Sequence, residues 1–130
     1  MRSVKIYHPP GRAAPMDQFI NSLDSKLQKK LRFQLFLLAT KPDYELKEPH
    51  FKHFVLEKYS QFYELREKSK ILVRIIFVMD GEDILLLTPF IKRQPRDTMR
   101  ALEASIRMLA EIREHPDYAV NNSFLKEDNT

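Results

Sequence analysis

Glu64 and Arg66 stand two residues apart in Tyr63-Glu64-Leu65-Arg66, a run that reads as a β-strand, and Arg74 interrupts the next such run, residues 71–79. Residues two apart in a strand share a face, so Glu64 and Arg66 lie together, and a turn at Lys68-Ser69-Lys70 brings Arg74 into the neighbouring strand. A guanidinium on an otherwise apolar strand is costly unless an anion answers it. Two answers stand open: Glu64, which makes a structural ion pair, or a phosphate from outside. Lys52 and His53 precede this segment, while Lys92 and Arg93 follow it. Together they add cations and a side-chain type that titrates near neutrality.

Other familiar chemistries are set aside by composition. With two glycines, Gly11 and Gly81, the chain has no Gly-rich phosphate loop, and it carries neither a Gly-x-Ser-x-Gly elbow nor a His-Glu-x-x-His helix. It has no cysteine, which excludes disulfides and thiolate metal sites. His50 and His53 sit near Glu48 and Glu57, but their spacing matches no specific ligand pattern. No metal or cofactor is expected.

A length of 130 residues suits one hydrophobic core, and 43% hydrophobic with 31% charged residues marks an ordered chain. No apolar run approaches a membrane span. The opening MRSVKIYHPP lacks an apolar export segment and a cleavage site, so a cytoplasmic protein is expected. The net charge is +4, and its distribution says more than its size. From residue 88 to 113, Lys92, Arg93, Arg96, Arg100, Arg107 and Arg113 face only Asp97, Glu103 and Glu111. That surplus suits a polyanion, although a solvated helix face has the same composition.

The elements that must position these residues follow from periodicity. Val4 and Ile6 alternate in a short first strand over residues 3–7, which His8-Pro9-Pro10-Gly11 ends. Met16, Phe19, Ile20 and Leu23 predict a helix over 15–23. Asp24 caps a second helix through about residue 39, with Leu27, Leu31, Leu35 and Leu38 on one face. Residues 62–67, 71–79 and 83–91 are three strands on short links, hence antiparallel hairpins. In the middle strand Ile71, Val73, Ile75, Phe77 and Met79 take one face and Leu72, Arg74, Ile76 and Val78 the other. Pro95 opens a last helix to about residue 114, with Met99, Leu102, Ile106 and Leu109 inward and Arg96, Arg100, Glu103 and Arg107 outward. The expected organisation is one α+β domain over residues 1–114, a small antiparallel sheet flanked by helices, followed by a polar, frayed tail over 115–130.

Residues 62–112 resemble the RelE/HigB toxins of type II toxin–antitoxin systems, in particular their phage-derived branch. The resemblance rests on Tyr63-Glu64-Leu65-Arg66, on Arg74 in the next strand, on a third strand ending Phe90-Ile91-Lys92-Arg93, and on the closing helix. With the preceding strand and two helices it extends over residues 3–114. It implies an endoribonuclease that cuts mRNA in the ribosomal A site and is silenced by a cognate antitoxin, expected to be of helix-turn-helix type. Attack of a ribose 2′-hydroxyl on the adjacent phosphate requires charge stabilisation and proton transfer. Arg66, Arg74 and Lys92 are the implied phosphate clamp. Arg93 suits the clamp as well. Lys52, His53 and Lys92 are the candidates for proton transfer, with Lys52 or His53 taken for it when Lys92 serves the clamp. Lys68, Lys70, Arg93, Arg96 and Arg100 are the implied RNA contacts. Arg96, Arg100 and Arg107 would also suit an acidic antitoxin segment.

The chain departs from several such toxins after the third strand. They carry a tyrosine or a histidine–aspartate cluster there, and this chain has Pro95, Arg96, Asp97, Thr98 and Met99. Phe51, Phe54, Tyr59 and Phe62 could supply stacking from elsewhere, or pack the core. Two other classes fit the same residues: a module that holds nucleic acid without cutting it, and a protein-interaction domain whose basic face receives an acidic helix.

Overall fold

The computed structural model describes residues 1–125, so residues 126–130 of the expected tail lie outside the described residues. Strand β1 (Val4–Tyr7) is followed by helices α1 (Pro15–Ser22) and α2 (Ser25–Thr40). Pro15 starts α1 with a preset φ. Asp24 caps α2 as expected, its carboxylate accepting the Leu27 N–H at 2.8 Å. Then come β2 (Phe51–His53), β3 (Phe62–Lys68), β4 (Leu72–Asp80), β5 (Asp83–Ile91), α3 (Pro95–Glu114) and β6 (Ala119–Asn121). None of the described helices is long and apolar enough to cross a membrane.

The expected order of one strand, two helices, a three-stranded meander and a helix is present, inside a larger sheet. Its strand order is β2-β3-β4-β5-β1-β6, with β1 parallel to β5 and every other neighbouring pair antiparallel. The sheet is therefore mixed. Gly81 turns β4 into β5 with φ +63°, a region that Gly enters without steric cost.

Each face of the sheet buries its own apolar cluster. Met16, Ile20, Leu31 and Leu35 of α1 and α2 pack on Val73, Ile75 and Phe77. On the other face, Ala101, Leu102 and Leu109 of α3 pack on Ile76, Val78, Leu85 and Leu87. This is the alternation expected of β4. Met99, expected inward on α3, is instead exposed, and Ala101 and Ser105 take inward positions. The helix phase is set by Ser105, whose hydroxyl meets that of Thr88 at 2.7 Å.

Thr88 lies at a bulge. Between the pairs Phe77↔Leu86 and Ile75↔Pro89, β5 carries one residue more than β4. Leu87 and Thr88 consequently both turn toward α3.

The frayed tail is a correction as far as residue 125. Residues 119–121 pair with β1, the Asn122 side chain donates to the Val4 carbonyl at 2.7 Å, and Phe124 is buried against the α1/α2 cluster. Those apolar and amide groups close the β1 edge of the sheet.

Candidate functional site

The apolar cluster under α3 does not fill the whole of that face of the sheet. At its far end the ladders pair Lys52 with Glu64, Arg66 with Arg74, and Arg74 with Phe90. The Lys92 N–H continues the β5 ladder to the Leu72 carbonyl. Alternation then puts Lys52, Glu64, Arg66, Arg74, Phe90 and Lys92 on one face. Lys68 ends the same row, and Lys70 lies in the exposed hairpin turn.

Glu64 is the anion at the centre, 1% exposed. Its Oε1 accepts from the Arg66 Nε at 2.8 Å and lies 3.6 Å from the Arg74 Nε. The pairing expected with Arg66 or Arg74 thus involves both. Arg74 also donates from Nη1 to the Val73 carbonyl at 3.2 Å. Burial pushes the Arg74 pKa below the usual arginine value; Glu64 opposes that shift and Arg66 adds to it. Arginine remains charged all the same. Arg66 reaches outward, its Nη1 3.4 Å from the exposed Glu48 carboxylate. Arg66, Arg74, Lys52 and Lys92 against the carboxylates of Glu64 and Glu48 leave a net positive charge at this end of the sheet.

Lys52 and His53 lie inside the sheet, in β2, rather than ahead of it. Their adjacency separates them. Lys52 points to the arginine face, with its ammonium 5.4 Å from the centre of the Phe54 ring. His53 points to the opposite face, stacks on Tyr63 at 4.4 Å between ring centres, and places Nε2 2.6 Å from the Ser60 carbonyl. The structure therefore joins Lys52 to Arg66 and Arg74 and parts His53 from them.

The remaining cations gather where β5 passes into α3. Asp97 secures this junction, accepting the N–H groups of Arg93 at 2.8 Å and Gln94 at 3.0 Å. Those bonds, the Arg93 one foremost, hold its carboxyl below the usual carboxylate range. Arg93 and Arg100 line an open cavity of about 480 Å³ with Phe90, Gln94 and Ala101. Phe90 thus borders both this cavity and the arginine pair. Arg96 is exposed on the first turn of α3. The expected stackers Phe51, Tyr59 and Phe62 are buried in the two cores, and Phe54 packs partly into one.

Sequence reasoning missed Glu48 and Phe90 at this site. Glu48 stands 18 positions before Arg66, and no spacing rule links them. Phe90 falls on the arginine face only because the bulge shifts the alternation of β5.

The fold and this cationic sheet end define a small α+β protein of RelE-like type with a face suited to an anion. A family model described as Phage derived protein Gp49-like (DUF891) matches residues 18–114. The chain belongs to that family, a RelE-like family associated with toxin–antitoxin pairs. No curated protein matches the chain.

Proposed function

We propose that this protein is the toxin of a toxin–antitoxin pair and an endoribonuclease acting on mRNA at the ribosome. The observation that carries the reading is the convergence of Arg66, Arg74, Lys52 and Lys92 on one partly exposed sheet end. Arg66, Arg74 and Lys92 receive the scissile phosphate and offset the charge that builds on its oxygens. The ribose 2′-oxygen bonds to phosphorus as its proton passes to solvent water, and the bond from phosphorus to the 5′-oxygen breaks as that oxygen takes up a proton. Of the residues named for proton transfer, His53 lies on the opposite face and Lys92 is taken up in the clamp, which leaves Lys52. Its ammonium is suited to protonate the leaving oxygen. Lys68, Lys70, Arg93, Arg96 and Arg100 extend the contact with RNA through phosphates and so carry no sequence preference by themselves. An antitoxin, in this reading a helix-turn-helix protein encoded nearby, silences the toxin by covering this face.

The competing reading is a structural ion triad, favoured by the contact of Glu64 with both arginines. Arg74→Ala separates the two. A clamp role predicts a folded variant whose cleavage of ribosome-bound mRNA falls by roughly 100-fold or more, together with loss of growth arrest on expression. A folded variant that cleaves at the parent rate leaves Arg74 a structural partner only. Co-expression of the adjacent gene product should restore growth and co-purify with the toxin.

A further inference from the structure

Arg66 and Arg74 are directly opposed across the β3–β4 ladder, a placement in which like charges repel. Among the described residues one anion, Glu64, contacts both, while Glu48 contacts Arg66 alone. Glu64 is two residues before Arg66 on the same face, and its single oxygen Oε1 faces the ε nitrogen of both arginines, at 2.8 and 3.6 Å. The side that Glu64 engages matters, because a carboxylate at Nε–H lies on the guanidinium edge that Nε shares with one η nitrogen and leaves the edge between the two η nitrogens unengaged by it. Each Nη1 has a neighbour, Glu48 or the Val73 carbonyl, and neither Nη2 donates to any of the described residues.

Glu64 itself is poorly provided for. Its Oε2 is buried without a hydrogen-bond partner among the described residues, as is the Arg74 Nε, which stands beyond hydrogen-bonding distance of Oε1. Burying a carboxylate with an unused oxygen carries a desolvation cost that its contacts with the two arginines must offset. Its placement is accounted for by what it does to the two arginines.

We propose that Glu64 is a positioning residue: bonded to the Arg66 Nε and within ion-pair distance of the Arg74 Nε, it holds the two guanidinium groups side by side on one face of the sheet, where an RNA phosphate is received. The proposal rests on the reading of these arginines as a phosphate clamp. The carboxylate offsets part of the charge of the two arginines, which lets the guanidinium groups lie side by side; with Glu48 also on Arg66, the excess positive charge that attracts the phosphate comes from Lys52 and Lys92 on the same face. Glu64 touches no substrate.

The test compares Glu64→Gln and Glu64→Asp in the full chain. Glutamine keeps the volume and removes the charge; aspartate keeps the charge and withdraws the carboxylate by one methylene. In the parent, the Arg66 Nε–H should give a resolved, slowly exchanging nitrogen–proton NMR signal, which Glu64→Gln abolishes. Cleavage of an mRNA oligonucleotide on ribosomes should show kcat lowered about 10- to 100-fold in both variants, the scale of a small misplacement, with KM unchanged or lower. Parent-like kcat in either folded variant overturns the proposal, as does a loss confined to KM. Should Glu64→Gln fail to fold, Glu64→Asp decides alone. If the parent cleaves no RNA, the nuclease reading fails. Glu64 is then judged by the NMR signal and by the affinity of an uncleavable 2′-deoxy oligonucleotide, which must weaken in Glu64→Asp; unchanged affinity and an unchanged signal overturn it.

Discussion

Lys52 and His53 are consecutive residues whose side chains lie on opposite faces of the sheet, because β2 is extended and pairs in register with Glu64 and Tyr63. One of the two proposed proton carriers is thereby parted from the phosphate clamp. Lys52→Ala is expected to lower cleavage by roughly 100-fold while RNA binding persists, in the range of general acid–base effects. His53→Ala is expected to leave cleavage unchanged and to cost about 1 kcal/mol of stability through the lost stack on Tyr63. Single-turnover cleavage and urea melts of both variants check this; loss of cleavage with His53 alone would reverse the assignment.

Removing different members of the Glu64 triad should have unequal effects on stability. Glu64→Ala leaves two opposed guanidinium groups without their anion and is expected to cost roughly 3–5 kcal/mol. Arg74→Met keeps the length of the side chain and leaves Glu64 its 2.8 Å bond to Arg66, so a change within about 1 kcal/mol is expected. Chemical denaturation of the two variants reads the difference.

Acid should erase the contribution of Asp97. Its carboxyl is held below the usual range by the Arg93 N–H first and the Gln94 N–H next, so the folded chain favours the ionised form. The stabilisation is present above the unfolded value near pH ~3.9 and is lost as pH falls through the lowered folded value. Asp97→Asn should therefore melt below the parent at neutral pH. Thermal melts down the pH scale should show the gap closing below about pH 4, and a gap that stays constant would contradict this account.

Residues beyond α3 belong to the folded unit. Phe124→Ala is expected to cost about 3–5 kcal/mol, the usual range for emptying a buried aromatic site. Truncation after residue 115 should cost more, since it also removes the β6 ladder and the bond from Asn122 to Val4. Both effects are measurable by calorimetry on the purified proteins.

The elements legible in the sequence are those with enough turns or alternations to show a period: α1, α2, α3 and the meander β3 to β5. Strand β2 has three residues, Phe51, Lys52 and His53, too few to establish an alternation, and with it went the fact that Lys52 and His53 diverge. Strand β6 hides in a polar stretch. Its signal was present as Val120, Phe124 and Leu125, three apolar residues with no regular spacing, held in place by contacts with β1 and the helices rather than by local preference. The grouping of Glu64, Arg66 and Arg74 was readable because they sit on long strands joined by a short turn. Glu48 was not, since a loop contact 18 residues away leaves no periodic trace.

The bulge at Leu87 and Thr88 divides β5 into two stretches of opposite parity. Before it, even-numbered positions such as Ile84 and Leu86 serve the α1/α2 core; after it, the even positions Phe90 and Lys92 serve the arginine face. One extra residue thus works like a half-twist in a ribbon, letting a strand that is all core at one end contribute to the clamp at the other. A Gp49-like chain lacking that residue must carry the counterpart of Lys92 on the odd count, or present its cation to the wrong side of the sheet.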